Sequence, residues 1–346
     1  MCKNSRMSEI PGETRFFYDL TPEKVLRAVE SYGFRCTGRV LALNSLENRV
    51  YEVEIEIPEA EVRSRYDRFK VAKFYRPGRW SQAQILEEHA FLGELFEKDL
   101  PVVVPLANKE GKTLQVIESS SGEPSGIYFN VSPKVGGRHL DELTDTQLEI
   151  LGRTAARLHM CGASNSFKAR RSLSVMDVRQ DLEYLLSHKC LGERYGLPLK
   201  QVMEQILIVM DSWMQGLTMQ RVHADLHLGN VLWNDNQLTL MDFDDSLLGP
   251  VVQDLWLILP SRDEDAARRR EVFLSGYEQL RRFDRESLRL IEPLRASRML
   301  RFSAWIARRW EDPIFPRMFL DFGSDRYWAE QLSALQESLQ IMHGGQ

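Results

Sequence analysis

The sequence predicts an α+β fold in two lobes, a small β-rich N-lobe over residues 1–131 and a larger helical C-lobe over residues 132–346. Three observations lead there. At 346 residues the chain exceeds what a single hydrophobic core usually supports. Its first third alternates apolar and polar side chains with the period of strands, whereas the remainder spaces apolar residues as helices do. Between them Ser132-Pro133-Lys134-Val135-Gly136-Gly137 has the composition of a hinge.

Taken in order, residues up to about 20 read as a loosely held extension. Pro22 after Thr21 marks the first turn of a short helix to about residue 31. Tyr51, Val53, Ile55 and Ile57 alternate with Glu52, Glu54 and Glu56, so residues 49–57 form a strand with one wet face. That strand pairs as a hairpin with residues 39–43 around the polar stretch 44–48. Residues 71–75 make a further strand, stopped by Pro77 and Gly78. Ser81 caps a helix to about residue 98, in which Ile85, Glu88, Leu92 and Leu95 share one face, so a carboxylate lies inside an apolar stripe. Short strands at 102–104, 113–117 and 126–131 complete an antiparallel sheet. Beyond the hinge, helices are expected over 145–160, 177–187, 199–220, 253–259, 263–282, 286–310 and 327–342. Trp256, Trp305 and Trp310 read as core, and the Arg-rich stretches 268–270 and 281–285 as solvated helix faces.

Charge and composition narrow the function. Acidic residues (50) outnumber Lys and Arg (45), a formal charge of −5 that argues against a nucleic-acid partner. Cys2, Cys36, Cys161 and Cys190 show neither metal-ligand nor disulfide spacing and read as reduced thiols. No signal-peptide core and no apolar run of membrane length is present, which leads to the expectation of a cytoplasmic protein without membrane contact.

The chemistry concentrates between His223 and Asp242. The Asn/Asp-rich tetrapeptide 234–237 is a turn, so residues 231–233 and 238–240 pair as a hairpin. Asn230 precedes its first strand and Asp242 follows its second, which sets an amide oxygen beside a carboxylate. A few hard oxygen ligands, with room for water and phosphate, suit Mg²⁺ in a nucleotide site. Asp225 enters the same end, where a carboxylate can accept the proton of an attacking hydroxyl. Each of these residues alone reads as a solvated or capping group; the joint His-x-Asp-x-His-x-x-Asn pattern with a timed Asp does not. A metal-phosphoesterase site would need a second cluster of Asp, Asn and His, which the sequence lacks. The spacing is that of a kinase catalytic loop.

Residues 223–230 (HADLHLGN) resemble the catalytic loop of the aminoglycoside phosphotransferase and choline kinase superfamily, which shares the protein-kinase fold. His227 stands where eukaryotic protein kinases carry Lys, and Asp242-Phe243-Asp244 takes the place of Asp-Phe-Gly. Ala224 replaces the usual Gly, with little consequence expected from one methyl. Residues 43–51 (LNSLENRVY), 73–77 (KFYRP), 84–89 (QILEEH), 249–256 (GPVVQDLW) and 291–295 (IEPLR) narrow the resemblance to the bacterial stress response kinases, which are Ser/Thr protein kinases. It runs from about residue 41 to 328.

The resemblance implies an ATP-dependent kinase with Mg²⁺ as cofactor, in which Asp225 and Asp242 are catalytic and Asn230 and Asp242 hold the metal. It also implies that Ser45 lies beside ATP and that Lys73 holds the α- and β-phosphates, positioned by a Glu of the next helix. Of Glu87 and Glu88, only Glu88 lies in the buried stripe and needs a cation. Without the resemblance, residues 44–48 are an ordinary hairpin turn lacking a Gly-rich phosphate loop. Asp254 reads as a brace for the catalytic loop. A protein Ser/Thr acceptor, which includes the chain itself, is favoured over a small-molecule hydroxyl kinase for choline-, homoserine- or aminoglycoside-like acceptors. The reason is that Glu311 and Asp312 stand beside Arg308 and Arg309, and Asp321 and Asp325 flank Arg317 and Arg326, with no dense acidic cluster for a cation. A nucleotide-binding module without turnover would have no need of Lys73, Asp225, Asn230 and Asp242 together. A monomer is expected.

Overall fold

Strand patterning in the first third builds one antiparallel sheet, and the computed structural model describes residue 17 and residues 20–117 and 126–344. The sheet comprises β1 (Cys36–Leu43), β2 (Arg49–Ile55), β3 (Phe69–Phe74), β4 (Gln115–Ile117) and β5 (Ile127–Pro133), in the order β1-β2-β3-β5-β4. Its inward residues Val53, Ile55, Ala72, Phe74, Phe129 and Val131 are covered by Val25, Ala28 and Val29 of helix α1 (Pro22–Glu30). Thr21 caps that helix by accepting from Lys24 N, with Pro22 at its first position. Most of the expected N-terminal extension, Cys2 included, lies outside the described residues; Cys36, Cys161 and Cys190 form no disulfide.

Helix α2 (Gln82–Glu97) starts at a capping box in which Ser81 accepts from Gln84 N and Gln84 Oε1 accepts from Ser81 N. Its Phe91, Leu92 and Leu95 belong to the helical core and not to the sheet's, so α2 is packed as a bridge between the lobes. Residues 102–104 form no strand of the sheet: Val102 makes a single parallel bridge to Leu240 beyond the hinge.

The larger lobe holds α3 (Asp145–Ala163), α4 (Val175–Ser187), α5 (Gly192–Met214), α6 (Val252–Ile258), α7 (Glu264–Glu278), α8 (Ile291–Arg308), α9 (Ile314–Met318) and α10 (Asp325–Gly344). Among them run two small ladders, β6 (Gln220–Val222) with β9 (Leu247–Gly249), and the hairpin β7 (Val231–Asn234) with β8 (Gln237–Leu240). Helix α5 begins before Pro198, which the helix tolerates inside it, and ends at Met214, so Gln220 lies in β6 and not in the expected helix. The 286–310 helix divides into a 3-10 stretch, Arg285–Leu290, followed by α8. Helices α3 and α7 cross in contact through Gly152 and Gly276, where an added Cβ would stand 2.2 Å from Phe273 O and 2.3 Å from Glu149 O. Among the described residues no helix is long and apolar enough to cross a membrane.

Candidate active site

The hairpin forms as its turn residues dictate. Val231 pairs with Leu240 and Asn234 with Gln237, leaving Asp235-Asn236 as the turn, with Asp235 at φ +53°. At the open end Met241 N donates to Asn230 O at 2.9 Å, which holds Asn230 against the start of the Asp242 segment. The Asn230 amide donates to Asp225 O at 2.9 Å, so its oxygen stays available as a ligand. Asp242 keeps half of its side chain exposed (53%). Among the described residues no three His, Cys, Asp or Glu side chains form a metal cage. The donor set Asn230 and Asp242 is small, hard and oxygen-based, which fits an ion that keeps water and phosphate oxygens in its shell.

The catalytic loop is fixed from behind by one carboxylate. Asp254, fully buried at the start of α6, accepts from His223 N at 2.9 Å, Ala224 N at 2.7 Å and His159 Nε2 at 3.0 Å. With Nε2 of His159 donating, its Nδ1 accepts from Tyr277 OH at 2.9 Å. His223 Nε2 donates to Met241 O at 2.8 Å, tying the loop to the strand that leads to Asp242. Ala224 sits at φ +69°, in the left-handed region. The expectation of little consequence at this position is thereby corrected: Gly is usual there because a side chain strains that backbone.

Asp225 is largely buried, and Arg298 of α8 reaches its Oδ1 at 2.7 Å, while His227 Nε2 stands 3.5 Å from Oδ2. Burial pulls this carboxyl upward, but the His227 hydrogen bond and the Arg298 charge outweigh it and bring it down to about 2. The group is therefore ionised wherever the protein is folded near neutrality.

From the other lobe, Lys73 Nζ on β3 meets three carboxylates, Asp242 Oδ1 at 3.1 Å, Asp244 Oδ1 at 3.2 Å and Glu88 Oε1 at 3.9 Å. Burial works against its charge, yet Asp242, Asp244 and Glu88 raise it well above the ordinary lysine value. Glu88 also accepts from Arg170 Nη2 at 3.0 Å; burial pushes its carboxyl up, against the pull of Lys73. Glu87, its neighbour, serves a different segment, accepting from the backbone N–H groups of Lys168, Ala169 and Arg170 at 2.6, 2.9 and 2.9 Å. Ser45 lies half-buried in the β1–β2 turn, two residues past Leu43, which pairs with Val50 as Val50 pairs with Lys73.

Comparison with known proteins agrees with this geometry. Residues 40–291 match the model of the phosphotransferase enzyme family. The chain belongs to that family. Stress response kinase A of Escherichia coli is 35% identical over 334 residues, covering 94% of each chain. Serine/threonine protein kinase RdoA of Salmonella typhimurium is 34% identical over 330 residues, covering 94% of this chain and 95% of its own. Among solved structures, the amicoumacin kinase hAmiN, in complex with AMP-PNP, Ca²⁺ and Ami, superposes with a TM-score of 0.73 at 20% identity and 96% coverage of both chains. A choline kinase of Cryptosporidium parvum gives 0.56 at 11% identity, covering 93% of this chain and 97% of that one. The chain is an ATP-dependent kinase with the two-lobed fold of these enzymes.

The kinase also uses residues that sequence patterning passes over. Asp244 is almost fully buried and accepts from Arg79 Nη1 at 2.5 Å and Asn48 Nδ2 at 3.2 Å, so it locks the segment that follows Asp242 to the N-lobe. Glu47 takes Arg309 Nη2 and Trp305 Nε1, each at 2.6 Å, and Arg76 reaches Asp312 at 3.2 Å. The β1–β2 turn is thus latched to the end of α8 across the cleft. Trp305 is half-buried and part of this latch as well as of the core edge. Glu47, Asn48, Arg76 and Asp244 lie in segments that carry the resemblance, but nothing local in the sequence marks these pairings.

Proposed function

We propose that this kinase transfers the γ-phosphoryl group of ATP, with Mg²⁺, to Ser or Thr hydroxyls of protein acceptors in the cytoplasm, acting as a monomer. Asp225 accepts the hydroxyl proton as the oxygen attacks phosphorus; the bond to the β-phosphate oxygen breaks, and ADP leaves. Asn230 and Asp242 would hold Mg²⁺, which supplies charge neutralisation on the phosphates. Lys73, held by Glu88, orients the α- and β-phosphates, and Ser45 lies over the nucleotide. Residues 1–131 and 132–346 act as the two lobes; Ser132 and Pro133 complete β5, so the hinge narrows from 132–137 to 134–137.

One observation carries the choice of acceptor. Arg298 stands on the catalytic carboxylate at 2.7 Å, with Arg301 one turn further along α8. Arg171 pairs with Asp177 and Arg301 with Asp181, so this wall of the cleft carries mixed charge. Mixed charge gives a cationic choline or aminoglycoside no net anionic pocket, whereas it suits a polypeptide segment. The names of the curated relatives point the same way. Incubation with labelled ATP over a panel of proteins and small alcohols is the test. Label on Ser or Thr of a generic protein, or of the enzyme itself, and its loss in Asp225→Ala, is the expected result. Labelling of choline, homoserine or an aminoglycoside alone, at rates near about 1 s⁻¹, would replace this reading with a small-molecule kinase.

A further inference from the structure

A cavity of about 630 Å³ lies in the helical lobe where α5, α7, α8 and α10 meet, apart from the nucleotide cleft. Four of its lining side chains are cations, Arg262, Arg270, Arg289 and Arg295, and Glu292 is the one acid among them. Glu292 is already engaged, accepting from Arg262 Nη2 at 2.7 Å and from Arg295 Nε at 3.4 Å. Glu337 takes the other branch of Arg262 at 2.5 Å. Four guanidinium groups against these two carboxylates leave two positive charges uncompensated. Glu271 is near Arg270, but Arg285 holds its carboxylate at 2.8 and 3.0 Å.

The uncompensated charge sits on particular atoms. Arg270 has no ion pair among the described residues, and its Nε is buried without a hydrogen-bond partner. Nη2 of Arg295 is buried and unpartnered in the same way. Burial pulls both guanidinium groups below their ordinary value, the response of cations withdrawn from water without sufficient counter-charge. Arg289 stands exposed at the rim, 5.7 Å from the centre of the Trp213 ring. The remaining wall is apolar, formed by Leu288, Ile291 and Met342 beside the Trp213 indole.

We propose that this cavity binds a small phosphate monoester, its dianion taken by Arg270 and Arg295 and its organic body lying against Trp213 and the apolar wall. Two residual charges match a dianion, and planar guanidinium forks match phosphate oxygens two at a time. The volume exceeds what a phosphate alone needs and falls in the range of small-molecule sites. The site does not depend on the acceptor reading, since none of its lining residues is among those assigned to phosphoryl transfer.

Phenyl phosphate, titrated into the full chain by calorimetry, tests it. Saturable binding at one site is expected, weakened about tenfold or more in Arg270→Gln and in Arg295→Gln, the loss of one charge-assisted pair. Arg289→Ala, an exposed position that does not endanger folding, should weaken it about threefold. Lys73→Ala, which alters the nucleotide cleft alone, should leave it unchanged. Absence of saturable binding to the wild type overturns the proposal. So does equal binding by wild type and all three arginine variants, or binding lost in Lys73→Ala and kept in Arg270→Gln. Benzoate binding as tightly as phenyl phosphate would overturn the assignment of a phosphate dianion.

Discussion

The two ends of the cleft are held in different ways. The catalytic loop hangs on a carboxylate with no exposure at all, Asp254, through backbone N–H groups of His223 and Ala224. The β1–β2 turn, residues 44–48, is held by long side chains meeting across the lobes, Glu47 with Arg309 and Trp305, and Arg76 with Asp312. Backbone donors on a buried acceptor have no alternative partner, so the loop's geometry is fixed at the cost of folding. The pairs on 44–48 are also withdrawn from solvent, Arg76 and Asp312 being buried, but they depend on single long side chains that one substitution removes. The loop 223–225 is therefore held through its backbone, and the turn 44–48 through side chains that a single substitution can release.

The comparison breaks or sharpens at five places. Asp225→Ala should lower kcat by roughly 10²–10⁴-fold while calorimetry finds Mg-ATP affinity unchanged, because the loop's scaffold stays intact; turnover near wild type would remove Asp225 from the chemistry. Asp254→Ala removes the scaffold itself. Leaving His223 N, Ala224 N and His159 unpartnered should cost about 3–5 kcal/mol, read as a lower urea midpoint, and an unchanged midpoint would end the claim of a fixed loop.

Arg298→Met tests the charge on the acceptor carboxylate. In the wild type Asp225 is ionised down to about pH 2; the activity of its ionised form is lost as pH falls through that value, and the stability it contributes as pH falls from the ordinary 3.8 toward it. Without Arg298 the acid limb of kcat/KM should move upward by about one pH unit. A limb that stays put would mean that the His227 hydrogen bond alone holds the group down.

Smaller effects are expected at the latch. Glu47→Gln should speed hydrogen exchange of amides in 44–49 by roughly fivefold, the worth of about 1 kcal/mol in such pairs, and leave amides 223–225 unaltered. Equal acceleration at both ends would erase the contrast between them. The smallest change is Ala224→Gly, which relieves a left-handed alanine at φ +69° and should stabilise the fold by about 1 kcal/mol. A thermal midpoint that falls would show that the methyl's packing outweighs the strain.

Much of the site could be read from local pattern. The Asn/Asp turn set the hairpin, the hairpin set Asn230 against the Asp242 segment, and the apolar stripe of α2 distinguished buried Glu88 from Glu87, which instead holds the 168–170 backbone. Arg298, Arg79 and Glu47 escaped because their partners lie far along the chain, 262 residues away for Glu47 and Arg309. No periodicity encodes such a meeting. Arg270 and Arg281 escaped for a related reason: within Arg-rich helix faces, nothing local marks the guanidinium that turns inward, and both carry buried, unpartnered nitrogen atoms. Strain at Ala224 was invisible because the need for positive φ arises from Asp254, thirty residues on, pulling two consecutive N–H groups to one point.

Helix α8 carries a constraint of a different kind. Arg298, Arg301, Trp305 and Arg308 follow one another at spacings of three, four and three, so they share one side of an 18-residue rod about 27 Å long. Along that side they meet Asp225, Asp181, Glu47 and Asp181 again. Inserting or deleting one residue within the rod would rotate everything beyond it by about 100° and swing Trp305 away from the β1–β2 turn while Arg298 stayed on the catalytic carboxylate. The helix therefore works as a phased ruler between the two ends of the cleft, and its length is as closely specified as any side chain on it.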